Sequence, residues 1–211
     1  ETYVTNDIVL GKENQNGILL YGVNASGKTS FIRSLGIATI LAQSGMYVPC
    51  KRFQYKPYQS IYSRILGNDN LFKGMSTFAV EISELRVILK MANENSMILG
   101  DELCSGTETE SALSIFVASM MHICKQNSSF IFATHFHEIV DYEEINSLKT
   151  LKMYHMCVIF DKEQNRLIYD RKMKPGSGES IYGLEVCKSL HLDDVFLKNA
   201  YELRNKYFTE K

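Results

Sequence analysis

Apolar positions along the chain recur with two periods, and the switches between them lay out the domain. "GILLYG" (17–22) is a continuous apolar run closed by Gly22, the pattern of a buried strand. Phe31, Ile32, Leu35, Ala38 and Leu41 then form a helical stripe over 28–44, with Gly45 as its stop. Residues 46–73 are mixed, and Pro49, Pro57 and "GNDN" predict short strands and loops. Phe78, Ile82, Leu85, Leu89 and Ala92 step by 4, 3, 4 and 3, which is one face of a helix with Ser76 near its N-cap position. "SMILGDE" (96–102) reads as a second buried strand, ending in two acids. Residues 109–126 are apolar nearly all round, which predicts a helix packed on more than one side. "SFIFATH" (129–135) is a third buried strand. "LKMYHMCVIFD" and "RLIYDRKMK" flank "KEQN" and predict a β-hairpin. A last helix starts near Asp193, with Phe196, Ala200, Leu203 and Tyr207 on one face. Strands alternating with helices imply an α/β layered domain with a smaller antiparallel part, and residues 1–15 read as irregular or edge-like.

Composition narrows the classes. A chain of 211 residues suits one domain, and 45% hydrophobic residues exclude disorder. No apolar run reaches the length of a membrane span, so no membrane partner is expected. The first residue is Glu1 and no secretory leader is visible, so the chain reads as a piece excised from a longer protein. A stand-alone nucleic-acid binder carries a basic excess, whereas the formal charge here is −1. Any contact with DNA is therefore expected to lie mostly in segments outside this chain. Five cysteines without a C-x-x-C predict buried free thiols in a reducing, intracellular compartment. Nucleus, cytoplasm, organelle and viral factory are not separated by these residues.

The candidate chemistry sits directly after the first strand. Gly22, Val23, Asn24, Ala25, Ser26, Gly27, Lys28 and Thr29 match G-x-x-x-x-G-K-[ST], with a strand before and a helix after, and Ser30 continues the turn. The glycines let the backbone curl so that successive N–H groups point inward as an anion nest. The helix that follows aims its positive end at the same place. Lys28 adds a mobile charge for the β and γ phosphates of ATP, or the β phosphate of ADP, and the Thr29 hydroxyl suits Mg²⁺. The acid pair completes the set: Asp101 as a second metal ligand, and Glu102 to orient and deprotonate an attacking water. His135, at the end of the third strand, can hydrogen-bond the γ phosphate or that water. The neighbouring His137 and Glu138 lack the further ligands that a zinc site needs.

"YVTND" (3–7), "GVNASGKTSFIR" (22–33), "YVP" (47–49), "DNLFKGMSTFAVEISE" (69–84), "ILGDELCSGTETES" (98–111), "FATH" (132–135) and "SIYGLEV" (180–186) together resemble, in this order and spacing, the C-terminal ATPase domain of the MutS DNA mismatch-repair family. The likeness covers nearly the whole of residues 1–211. The "DELCSGTE" wording is closer to the organellar and large-virus branch than to the bacterial "DE-x-GRGT". The resemblance implies a P-loop NTPase fold of the ABC-ATPase type, working as a pair of facing ATPase domains, with a homodimer favoured. It implies that Ser76 in "GMSTF" faces the partner's γ phosphate, and that Ser105, Gly106 and Thr107 form the loop crossing to the partner. It implies that Tyr3 stacks on adenine, the alternative being a packed edge tyrosine. Asn6 and Asp7 lie in the same segment with weaker claims, and Asn24 approaches phosphate from within the turn. Arg171 stands where the family often has a histidine near the base. Mismatched DNA would be reached through domains absent from this chain.

The resulting expectation is Mg²⁺-dependent ATP hydrolysis in a composite dimer site, coupled to DNA-clamp states. Three alternatives stay open. One is a nucleotide-gated structural clamp with little turnover. Another is a different ABC-type ATPase, although the Gly-Gly-Gln style transporter signature is missing from "FKGMSTF". The third is a P-loop kinase, for which no lid-like arginine cluster is visible.

Overall fold

The computed structural model describes residues 3–11, 15–65, 77–104, 106–161, 163–164, 166–178 and 183–208. Among them, β1 (Gly17–Tyr21), α1 (Lys28–Gln43), β2 (Ser60–Arg64), α2 (Thr77–Met91), β3 (Ser96–Asp101), α3 (Thr109–Lys125) and β4 (Ser129–Thr134) follow in order. A 3₁₀ turn (His137–Asp141), α4 (Glu143–Asn146), β5 (Leu151–Asp161), β6 (Arg166–Pro175), α5 (Gly183–Ser189) and α6 (Asp194–Phe208) complete the chain. One six-stranded sheet runs in the order β2-β3-β4-β1-β5-β6. Every pairing is parallel except β5 with β6. The α/β layered class and the hairpin expected from the sequence are both present.

The continuous apolar runs are explained by burial on both faces of the central strands. Successive side chains of β1 alternate between two cores, as a period of two requires. Leu19 and Tyr21 join Ile98, Phe116, Phe130 and Phe132 on the face covered by α2 and α3. Ile18 and Leu20 join Ile32, Met97, Leu99 and Ile131 on the face covered by α1. Gly100 sits beside Phe132 in the β3–β4 register, and a Cβ there would lie 2.1 Å from that ring. The glycine is therefore a seat for the neighbouring aromatic. The end of α1 is a Schellman turn: Gly45, at φ +73°, donates to Ala42 O, and Met46 donates to Leu41 O.

The α2 stripe itself stands: Leu85 and Ala92 are buried, and the half-buried Ile82 and Leu89 pack against the same core. Ile88 and Glu81 are buried beside them, so an acid borders the apolar face. Three expectations are corrected. Helix α3 is packed on one broad face, because Ser114, Ala118, Met121 and His122 stay exposed. Small and sulfur-containing residues made that outer side look more buried than it is. In α6, Phe196, Leu203 and Tyr207 are exposed, Ala200 is half-buried, and Leu197 is the residue that points inward. The reason is the neighbour: α6 meets α5 through Tyr201 and Arg204, both of which reach the carboxylate of Glu185. The cysteines are all free, but Cys50 is exposed and Cys187 half-buried, so only Cys104, Cys124 and Cys157 are buried thiols.

Candidate functional site

The site is built where three parallel strands end together. Tyr21 at the end of β1 pairs with Thr134, and Asp101 at the end of β3 pairs with Ala133. The segments leaving β1, β3 and β4 therefore share the carboxyl edge of the sheet, where open α/β sheets carry their ligands.

Residues 22–27 turn sharply between β1 and α1. Gly22, Ala25 and Gly27 have φ of +151°, +63° and +105°, the left-handed region that favours glycine. A Cβ at Gly22 would come within 2.7 Å of Ser26 Oγ and 3.3 Å of Met156 Cβ. Gly27 is the N-cap of α1 and supplies no side-chain cap, and no acid stands in the first turn. The first amides of α1 and its positive dipole end thus receive no compensating charge from the helix's own first turn. Asn24, Ala25 and Ser30 are exposed around this end, while Ser26 is buried.

Lys28 folds back into the turn and is 5% exposed. Its Nζ donates to Gly22 O at 2.6 Å and to Val23 O at 3.3 Å. It lies 3.8 Å from Glu102 Oε1. Burial pushes the Lys28 pKa below the usual lysine range, and the carboxylates of Glu102 and Asp101 pull it partly back. Thr29 Oγ1 donates to Asp101 Oδ2 at 2.5 Å. Asp101 Oδ1 and Ser26 Oγ are buried with no hydrogen-bond partner among the described residues. A buried carboxylate oxygen left unpaired is costly unless something else satisfies it. A hydroxyl and a carboxylate in contact, with one oxygen unused, fit a hard cation that keeps most of its waters, as Mg²⁺ does. No cluster of three or more metal-ligating His, Cys, Asp or Glu residues gathers among the described residues.

The remaining candidates are distributed around this centre. Glu102 stands one residue beyond β3, with φ +50° and its side chain a quarter exposed. His135 follows β4, is exposed, and lies 4.7 Å from the Phe136 ring between centroids. His137 instead packs on Tyr21, with ring centroids 4.9 Å apart, and burial lowers its pKa. Tyr3 is 79% exposed, so it is not a packed edge tyrosine. Asn6 is committed to the backbone of β6: its Nδ2 donates to Arg171 O, and its Oδ1 accepts from Met173 N. Arg171 has φ +57° within a register irregularity of the β5–β6 pair. Gly106 lies against Phe78 at the start of α2. The Thr107 hydroxyl donates to Glu108, as does that of Ser111. Ser76 and Ser105 lie outside the described residues.

Two residues near the site were missed from sequence. Glu81 accepts the Cys104 N–H at 2.6 Å, and its signal was an acid at helical spacing from Leu85 and Ile88. His155 pairs with Tyr21 in the sheet, donates from Nδ1 to Gly176 O, and lines a cavity of about 30 Å³ with Gly22 and Val23. Nothing in the pattern of β5 marked it.

Fold and site together define an α/β domain in which a glycine-rich turn, a buried lysine and an acid pair meet at the carboxyl edge of a parallel sheet. The chain belongs to the MutS family: the family model for MutS domain V matches residues 18–207. It is 43% identical over 201 residues to a mutS homologue of Acanthamoeba polyphaga mimivirus, covering 94% of this chain and 18% of that protein. It is 41% identical over 188 residues to a mitochondrial DNA mismatch repair protein mutS homologue of Sarcophyton glaucum, covering 89% and 19%. It is 36% identical over 212 residues to DNA mismatch repair protein MutS of Clostridium kluyveri, covering 99% and 24%. The chain thus spans about a fifth of the length of these relatives.

Proposed function

We propose that this chain is the Mg²⁺-dependent ATP-hydrolysing domain of a mismatch-repair protein of the organellar and large-virus MutS branch. In this reading it is a P-loop NTPase of the ABC type. The observation that carries it is the contact of Thr29 with Asp101 at 2.5 Å, beside the buried Lys28 and the unpaired Asp101 Oδ1. Residues 22–30 wrap the phosphates through backbone amides, and the uncapped end of α1 supplies a favourable field. Lys28 exchanges the Gly22 and Val23 carbonyls for phosphate oxygens. Thr29 and Asp101 would hold Mg²⁺, which neutralises phosphate charge. Glu102 orients the attacking water and accepts its proton, and His135 hydrogen-bonds the same region. Tyr3, exposed at the chain's start, offers a face to adenine.

A second copy completes the site in this reading, with Ser76 at the start of α2 and the Ser105–Gly106–Thr107 loop facing the partner's nucleotide. ATP binding closes the pair and hydrolysis loosens it, which drives clamp states on mismatched DNA through domains outside this chain. Relatives that are themselves named as DNA mismatch repair proteins support the mismatch-repair assignment.

A second reading, a nucleotide-gated clamp with little turnover, draws on the 3.8 Å contact of Glu102 with Lys28, which engages the would-be base. Phosphate release by the complete protein and its Glu102→Gln form separates the two. Loss of about 100-fold or more in kcat, with ATP still bound, supports hydrolysis. Equal, near-zero rates in both forms support the clamp.

A further inference from the structure

The turn that carries Glu102 is held from a different element. Glu102 and Cys104 have φ of +50° and +67°. Two left-handed non-glycine residues within three positions persist only where their surroundings over-determine them. Glu102 N–H donates to Ala133 O at 3.0 Å, and Leu103 is sunk in the core at 1% exposure. The third restraint comes from α2. Glu81, 4% exposed, accepts the Cys104 amide at 2.6 Å. A few residues on, Gly106 meets the first turn of the same helix, where a Cβ would lie 3.3 Å from Phe78 Cβ and 3.5 Å from Phe78 Cα. Burying an acid is costly. Here the acid lies on a helix face whose other inward residues are Leu85, Ile88 and Ala92. An aliphatic residue would fill the space but leave the Cys104 amide unpaired.

We propose that Glu81 is a positioning residue for Glu102: by holding the Cys104 amide it fixes the strained turn that aims the Glu102 carboxylate, and it ties that aim to α2. The proposal deepens the ATPase reading and rests on it. In that reading the start of α2 meets the partner's nucleotide. The same hydrogen bond then makes this subunit's own water-orienting acid sensitive to partner docking.

The test compares Glu81→Met and Glu81→Gln in the complete protein by steady-state ATP turnover, Mg-ADP affinity and amide hydrogen exchange. Glu81→Met keeps the length of the side chain and removes the acceptor. It is expected to lower kcat by about tenfold or more while KM and ADP affinity stay within about twofold. Exchange should quicken over residues 102–106 and stay unchanged over 22–30. Glu81→Gln, whose amide oxygen still accepts, should remain within about threefold of the parent in kcat. Parent-like kcat in Glu81→Met overturns the proposal. So does a Glu81→Gln form as slow as Glu81→Met, since charge and not the acceptor would then matter. A loss shared equally between kcat and nucleotide affinity overturns it too. Should Glu81→Met unfold at assay temperature, the turnover of Glu81→Gln and its exchange over 102–106 decide in its place. A parent without turnover defeats the ATPase reading by itself, and exchange over 102–106 still decides whether Glu81 holds the turn.

Discussion

At the scale of the residue, burial and one partner decide what each candidate can do. Lys28 and Thr29 are adjacent in sequence, yet one turns back to the Gly22 carbonyl and the other reaches Asp101. That division was legible from the motif, because a glycine-curled loop running into a helix leaves little choice of direction. Glu81 was not legible: nothing in a linear pattern says that an acid on an apolar face is answering a strained amide 23 residues away. The thiols give a test at this scale. Burial, with Glu81 nearby, pushes Cys104 up to about 12, and burial pushes Cys124 up to about 11. Both remain neutral in the folded chain where an unfolded thiol, near 9, ionises. They therefore oppose unfolding below pH 9, and that contribution falls away as pH rises from about 9 toward 11–12. Alkylation of the native protein at pH 8 should label exposed Cys50 first, with Cys104 and Cys124 reacting only after denaturant is added. Rapid native labelling of Cys104 would contradict the buried turn.

At the scale of the element, apolar period predicted type better than facing. Each buried strand and each long helix was visible as a pattern, because exclusion of water from a strand or helix face acts on consecutive residues. Facing depends on the neighbour. Helix α6 buries Leu197 and turns Tyr201 and Arg204 toward α5 instead of its longest apolar stripe, since Glu185 supplies polar partners there. The short elements α4 and α5 and the 3₁₀ turn after His135 have too few residues to show a period. Strand packing is testable at Gly100. Because a Cβ would overlap the Phe132 ring at 2.1 Å, Gly100→Ala should lower unfolding free energy by roughly 1–3 kcal/mol, read from the denaturant midpoint. A midpoint unchanged by the substitution would mean that β3 and β4 pack differently.

At the scale of the whole molecule, the strand order places the ends of β1, β3 and β4 at one edge and the β5–β6 hairpin at the other side of β1. No helix among the described residues is long and apolar enough to cross a membrane. If the site is completed by a second copy, turnover per chain in the complete protein should rise with protein concentration until the dimer saturates. A specific rate independent of concentration across the monomer–dimer transition, measured by sedimentation, would argue for a self-sufficient site. The sequence alone determined the class of fold, the glycine loop and its lysine, and the acid pair, because these depend on local backbone freedom, on contiguous burial and on residue chemistry at short spacing. Only the tertiary structure decided that Thr29 and Asp101, 72 residues apart, touch, which face of α6 is covered, and that Glu81 secures the turn after β3. Those features are set by which elements become neighbours in the sheet and its layers, and pairing across such distances leaves no periodic trace in the chain.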